Sequence, residues 1–407
     1  MLSLFKPKRK PAETSAATET DEKLRKRSQL VHSFFMRALT KMQTLLRQGD
    51  RRCVGGMPLC VHWEITHSCN HRCSYCFQSR SGHQNVSCSL AQAETAIRHI
   101  AEANRPAYQV TLLGGEPLIY PHLKELTELL IENLGSRLEV LRIITNGARL
   151  PERAALLLDV ARRTRLVIEV SVHFEFVNVE KLLAFIRDYS DRLDIELDVM
   201  LHPGHTNLME ETVRRLIQLR ENHPFGMNIE LLREPPTFTA LLKDYTPTHF
   251  AWAEEARSAF ATAAEASPKK SFTKREETGW NFFVEEGDDS GTELAFDNLD
   301  SSELQARTGL GFYGMHCIAG GNLLWIRPDG SVRGAICELV PSSCNIFEEN
   351  PFGKETWIHA VPCILQKCYC SINHRLPKYK SAEEAGAFVA KCRNAQAALA
   401  TAGRAGS

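Results

Sequence analysis

Two hydrophobic rhythms alternate through the middle of the chain. Short apolar runs at Val61–Thr66, Tyr108–Leu113, Glu139–Thr145, Leu166–His173, Leu193–Leu201 and Met227–Leu232 have the length and residue types of strands. Between them, apolar residues recur at helical spacing. This predicts helices from Ser89 to about Ala103 and over Pro121–Leu134, Pro151–Arg163, Asn178–Tyr189 and Asn207–Glu221. Ser89 with Gln92 is a capping-box signature, and Pro151 suits a first helical turn. Strands alternating with helices of this length pair in parallel, and six such units predict an α/β fold, a partial (βα)6 barrel. Sites in such barrels gather at the C-terminal ends of the strands.

The flanks do not share this rhythm. Residues 1–57 comprise a polar tail, expected to be disordered, and one amphipathic helix. In that helix Leu30, Phe34, Met42 and Leu45 recur at helical spacing before Gly49. Its apolar face is expected to pack on the main domain, with a membrane surface as the competing reading. The barrel is expected over 58–235 and a connecting insertion over 236–311. That insertion holds a helical stretch near 250–265 and an acidic loop, Glu285–Asp289, read as solvated charge. Residues 312–407 return to strand character: Leu323–Arg333 reads as two short strands around a Pro-Asp-Gly turn, and a helix closes the chain.

Composition narrows the class. The chain has 407 residues, and Lys+Arg equals Asp+Glu at 49 each, so no basic field marks a dedicated nucleic-acid binder. No run approaches the 18 consecutive apolar residues of a membrane span. Met1–Lys10 is basic and lacks the apolar core of a signal peptide, so a cytoplasmic location is expected. Thirteen cysteines is an odd number, and in a reducing cytosol clustered cysteines read as metal ligands.

The candidate chemistry lies at the predicted strand ends. Cys69, Cys73 and Cys76 follow the first strand with the spacing Cys-x3-Cys-x2-Cys. Three thiolates on one loop can hold three irons of a 4Fe–4S cube and leave the fourth iron open. Zinc, with His67 or His71 as a fourth ligand, is the alternative. Gly114-Gly115-Glu116-Pro117 ends the second strand, with two glycines to let a ligand approach the backbone and a carboxylate to accept from an ammonium. Thr145-Asn146-Gly147 ends the third strand, and Ser171 and His173 end the fourth. Glu169, Glu196 and Asp198 face either the barrel lumen or outward, and His202 and His205 follow the fifth strand.

The cysteine spacing, the aromatic Tyr75 before the last cysteine, the Gly-Gly-Glu-Pro run and Thr145-Asn146-Gly147 together resemble the radical S-adenosylmethionine (SAM) superfamily. That resemblance implies that the SAM amino and carboxylate groups chelate the odd iron, with Glu116 at the amino group. It also implies that Ser171 or His173 faces the ribose or carboxylate. Reductive cleavage of SAM would yield a 5′-deoxyadenosyl radical that takes hydrogen from a substrate. The implied partners are an electron donor such as flavodoxin or ferredoxin, and a peptide or small metabolite as substrate.

Cys317 and Cys337, flanking the expected hairpin, and Cys363, Cys368 and Cys370 resemble the SPASM or twitch extension of that superfamily, which carries auxiliary Fe–S clusters. The last part has fewer cysteines than a full SPASM pattern, so one auxiliary 4Fe–4S cluster is expected, with zinc as the competing occupant. Cys53, Cys60, Cys88, Cys344 and Cys392 read as ordinary thiols. The rival to the enzyme reading is a non-catalytic Fe–S or zinc protein that binds a partner.

Overall fold

A computed structural model describes residues 58–76, 78, 85–235, 240–268, 313–337, 340–364, 376, 378–379 and 381–404. The expected tail and helix over 1–57, the acidic loop Glu285–Asp289, and Cys368 and Cys370 lie outside the described residues.

Six βα units form the body. The strands are β1 (Leu59–Thr66), β2 (Tyr108–Gly114), β3 (Leu138–Thr145), β4 (Leu166–Val172), β5 (Asp194–Leu201) and β6 (Gly226–Leu231). The helices are α1 (Leu90–Glu102), α2 (Leu123–Leu134), α3 (Leu150–Arg163), α4 (Val179–Tyr189), α5 (Thr206–Arg220) and α6 (Pro247–Ala266). Strands β1 to β6 lie side by side in chain order, and every neighbouring pair is parallel. A sequential order with right-handed crossovers puts all the linking helices on one face of the sheet. The opposite face is the lumen of the partial barrel expected from the sequence.

Alternation along each strand then decides what lines that lumen. In β4, Leu166, Ile168, Val170 and Val172 belong to the main apolar core, as do Ile195, Leu197, Val199 and Leu201 of β5. Their alternates Glu169, Ser171, Glu196 and Asp198 therefore face the lumen, which settles the two orientations the sequence left open.

Local sequence explains the helices that cover the core. The Ser89 hydroxyl accepts from the Gln92 N–H, and the Gln92 side chain accepts from the Ser89 N–H, so the capping box of α1 is complete. The Asn178 side chain caps α4, which buries Leu182, Leu183, Phe185 and Ile186. Truncating a fully buried residue such as Ile186 to Ala should cost about 2–5 kcal/mol.

The C-terminal strands divide between two sheets. A hairpin of β8 (Leu323–Ile326) and β9 (Ser331–Arg333) joins the barrel sheet, because β8 pairs in parallel with β1. With the short β10 (Cys344–Asn345), the sheet reaches nine strands in the order β10-β9-β8-β1-β2-β3-β4-β5-β6. The hairpin thus extends the barrel sheet. The physical reason is the free edge of β1, whose N–H and C=O groups need partners when buried. Leu324 and Ile326 then enter the core beside Trp63.

A second sheet has the order β11 (His359–Pro362), β7 (His316–Ala319), β12 (Lys378–Tyr379). Helix α7 (Ala382–Arg404) lies against it, burying Ala385, Phe388, Val389 and Cys392. The turn between the two sheets is tied to the barrel by the Cys60 N–H on the Asn322 carbonyl at 2.8 Å. The Arg105 guanidinium, 3% exposed, donates to the Gly321 carbonyl at 2.7 Å.

Candidate active site

The cysteine loop leaves the end of β1 and is at once bonded to the end of β2. The Gly115 N–H donates to the Thr66 carbonyl at 2.7 Å, and the Glu116 N–H donates to the Ser68 carbonyl at 2.8 Å. The two glycines make this crossing possible. A Cβ at Gly114, where φ is +139°, would stand 2.2 Å from the Thr66 oxygen, and one at Gly115 would stand 2.1 Å from the Ser68 oxygen. The sequence assigns these glycines to ligand approach; in the structure the backbone that comes so close is the cysteine loop itself.

Glu116 ties β2 to β3. Its residue is 0% exposed, and its carboxylate accepts from the Thr145 hydroxyl at 2.7 Å, the Asn146 N–H at 2.7 Å and the Leu118 N–H at 2.8 Å. Burial pushes its pKa up, and the three hydrogen bonds act against that. A carboxylate has about four acceptor positions, so three are already occupied by the protein. Asn146 closes the ring back to the first loop. Its Nδ2 donates to Asn70 Oδ1 at 2.9 Å and lies 3.7 Å from Cys69 Sγ. Gly114–Pro117 and Thr145–Asn146 thus form one hydrogen-bonded rim with the cysteine loop.

The thiols of that loop oppose one another's ionisation. Burial pushes Cys73 up to about 12, with further contributions from Cys76, Glu175 and Cys69. Cys69 is also raised, chiefly by burial, and Glu116 and Cys76 add to it. Among the described residues no three His, Cys, Asp or Glu side chains gather round a single ion-sized point. The three sulfurs are therefore near enough to feel each other's charge without converging on one ion. A donor set that resists holding three thiolates on its own fits a cationic metal group, which reverses the sign of the local field. A cube, with one iron per thiolate, suits the spread of these donors.

The fourth and fifth strand ends complete the mouth. The Tyr75 hydroxyl and His173 Nδ1 share a 2.9 Å hydrogen bond. The Tyr75 ring is 5.7 Å from that of His173 and 5.5 Å from that of His202. Burial pushes His173 down to about 4, so its imidazole is neutral at ordinary pH. The His71 ring stacks on Phe176 at 4.9 Å, and its Nδ1 is buried with no hydrogen-bond partner among the described residues. The Ser74 N–H donates to Glu175 Oε2 at 2.9 Å. The sequence reading missed Glu175 and Asn70; a lone acid three residues past a strand carries no local signal that it will meet a loop 101 positions away.

Deeper in the lumen, Ser171, Asp198 and Asn228 stand at one register across β4, β5 and β6. Below them Arg142 pairs with Glu169 and, at 3.1 Å, with Glu196. The floor of the barrel mouth is therefore polar and hydrogen-bonding.

Among the described C-terminal cysteines, strand pairing relates Cys317 to Cys363. Cys317 on β7 stands opposite Val361, and the Cys363 N–H donates to the Met315 carbonyl at 2.8 Å. Cys317 and Cys363 therefore sit on one face of the sheet as diagonal neighbours. The Gly320 N–H bonds the Gly334 carbonyl at 3.0 Å, closing the hairpin base three residues inside both Cys317 and Cys337. Cys60 and Cys88 are buried elsewhere, beside Gln109 and the Tyr120 hydroxyl.

Residues 63–216 match the Radical SAM superfamily. Over that stretch the chain is similar to radical SAM enzymes. It is 30% identical over 100 residues to the mycofactocin maturase MftC of Mycobacterium ulcerans (strain Agy99), a match spanning 24% of this chain and 25% of that protein. The chain thus spans about a quarter of the length of this curated relative. Similar solved structures include Streptococcus suis SuiB bound to S-adenosylmethionine, at 17% identity and TM-score 0.45, covering 79% of this chain and 76% of that one. Another is anSMEcpe with bound AdoMet and Cp18Cys peptide, at 14% identity and TM-score 0.45, covering 72% of this chain and 79% of that one.

Proposed function

We propose that this chain is a radical SAM enzyme that cleaves S-adenosylmethionine reductively and takes hydrogen from a carbon of its substrate. The observation that carries the reading is the rim: three motifs from separate strand ends are hydrogen-bonded to the cysteine loop. Cys69, Cys73 and Cys76 would hold three irons of a 4Fe–4S cluster. When bound, that cluster supplies one electron to the SAM sulfonium, and the resulting carbon radical does the hydrogen transfer.

The rest is the work of the protein's own groups. The Gly114–Pro117 rim receives the amino end of SAM, with Glu116 fixing the rim's shape and supplying negative charge. Thr145 and Asn146 hold that rim in register with the cysteine loop. Ser171 faces the ribose side of the lumen, and His173 offers it Nε2, since Nδ1 is engaged with Tyr75. The polar layer of Ser171, Asp198 and Asn228 orients substrate below. Of the two substrate classes we favour a peptide, because the curated relative is a maturase.

A low-potential donor, flavodoxin or ferredoxin in type, supplies the electron. Four of Cys317, Cys337, Cys363, Cys368 and Cys370 would hold one auxiliary 4Fe–4S cluster, which would supply an electron acceptor or a substrate-binding site. The expected location is the cytoplasm; among the described residues no helix is long and apolar enough to cross a membrane.

The test is anaerobic reconstitution followed by SAM and dithionite. The reading requires methionine and 5′-deoxyadenosine. A protein that binds iron yet forms no 5′-deoxyadenosine is the partner-binding Fe–S protein instead.

A further inference from the structure

We infer that Glu175 and His173 are positioning residues, a two-point latch from the end of β4 onto Ser74 and Tyr75, the pair of residues between Cys73 and Cys76. The inference rests on the radical SAM reading only for what the loop carries; the latch itself is a property of the chain.

Four observations support it. The Ser74 N–H donates to Glu175 Oε2 at 2.9 Å, so the backbone between two cysteines is held by a carboxylate 101 positions away. Next to it, the Tyr75 hydroxyl and His173 Nδ1 share a 2.9 Å bond, and the Tyr75 residue is 7% exposed. Glu175 also faces His202. Its Oε1 lies 3.7 Å from His202 Nε2, while His202 Nδ1 accepts from the Gly204 N–H at 3.1 Å. That acceptor role leaves the imidazole proton of neutral His202 on Nε2, directed toward Glu175. Finally, Cys73 to Cys76 forms a single turn, closed by the Cys76 N–H on the Cys73 carbonyl at 3.1 Å. Two fixed points on one turn fix the direction of the cysteines at both its ends.

The charge of Glu175 separates this role from thiol activation. A carboxylate near Cys73 disfavours its thiolate, so it is badly placed to activate a ligand. What Glu175 supplies is an acceptor for a backbone N–H. Preorganisation has value here because the three thiols repel one another when ionised, and a loop without tethers would splay.

The test uses the full chain, reconstituted without oxygen, in wild-type form and as Glu175→Gln, Glu175→Ala and Tyr75→Phe. A ferrous chelator is added, and decay of the SAM-sensitive EPR signal of the reduced cluster is followed. Glu175→Ala removes the charged acceptor of the Ser74 N–H and should lose the cluster at least about tenfold faster. Glu175→Gln keeps an acceptor oxygen and should stay within about threefold of wild type, with Tyr75→Phe between the two. Loss at the wild-type rate in Glu175→Ala overturns the latch. So does equally fast loss in Glu175→Gln, which would assign the effect to charge.

Amide exchange at Ser74 in the cluster-free chain gives an independent readout. The Ser74 N–H should be protected in wild type and Glu175→Gln and should exchange faster in Glu175→Ala; equal exchange in all three overturns the latch. A wild-type protein with no SAM-sensitive signal would remove the radical SAM reading, and the Ser74 exchange would still decide the latch.

Discussion

At the barrel rim, three cysteines fall between Cys69 and Cys76 on one loop, and backbone and side chains from four other strand ends reach it. In the C-terminal region, the candidate ligands run from Cys317 to Cys370. There, strand pairing brings Cys363 near Cys317, and the Gly320–Gly334 backbone bond closes the hairpin three residues inside Cys317 and Cys337. The first site is encoded by a loop and stiffened by its surroundings. The second is encoded by topology, so it depends on two sheets forming first. Perturbing either should leave the other standing, and that separation can be attacked by experiment.

The largest expected effect comes from replacing Cys69, Cys73 and Cys76 together with Ala. All 5′-deoxyadenosine formation should cease, while about four irons per chain remain after reconstitution if the C-terminal site is one cube. Iron near zero with stoichiometric zinc would make the C-terminal site a structural zinc knuckle and leave the first loop's chemistry untouched.

A paired glycine experiment sharpens the comparison. Gly115→Ala forces a Cβ to 2.1 Å from the Ser68 oxygen, and Gly334→Ala forces one to 2.1 Å from the Gly320 nitrogen. Each has backbone in the way, so each should destabilise by about 1–3 kcal/mol, read as a lower melting temperature. Gly115→Ala should also lose SAM cleavage and keep the C-terminal iron, and Gly334→Ala should do the reverse. Equal loss of both metals in both variants would merge the two regions into one cooperative unit.

Glu116→Ala acts on the rim alone. It leaves three buried donors without their acceptor and removes the negative charge that the proposed SAM site presents to the amino group. SAM affinity should fall at least about tenfold, and stability by about 2 kcal/mol. A binding titration giving the wild-type dissociation constant would remove Glu116 from the SAM site.

The last effect, read in stability and not in activity, is a pH dependence. His173 is held down to about 4 in the folded chain, from the usual histidine value. The unfolded chain therefore binds the proton first as pH falls. Stability that is complete above about pH 6.5 should decline progressively toward pH 4, by no more than about 3 kcal/mol from this group. His173→Asn should flatten that slope in melting curves of the cluster-free protein, and an unchanged slope would assign it elsewhere.

Much of the body was legible from periodicity. The six strands and their helices lie within a few residues of where apolar spacing puts them, and the capping box at Ser89 and Gln92 forms as read. Such elements are set by neighbours a few positions apart. Three features were not legible, each because its partner is distant in sequence. The hairpin strands were apparent, but their pairing with β1 spans more than 260 positions, Cys60 to Leu323. The lumen orientation of Glu169 and Glu196 became clear only once the core was assembled. Glu175 gave no signal, because its role is set by the turn it meets and not by its own neighbours.

The central claim is that the first loop carries a cluster with one iron open to SAM. The most direct measurement is the EPR spectrum of the dithionite-reduced, reconstituted chain with and without SAM. SAM should shift the g-values of one cluster signal, and this signal should be absent from the Cys69, Cys73 and Cys76 triple variant. A reduced cluster spectrum indifferent to SAM, or one that responds equally in the triple variant, would contradict it.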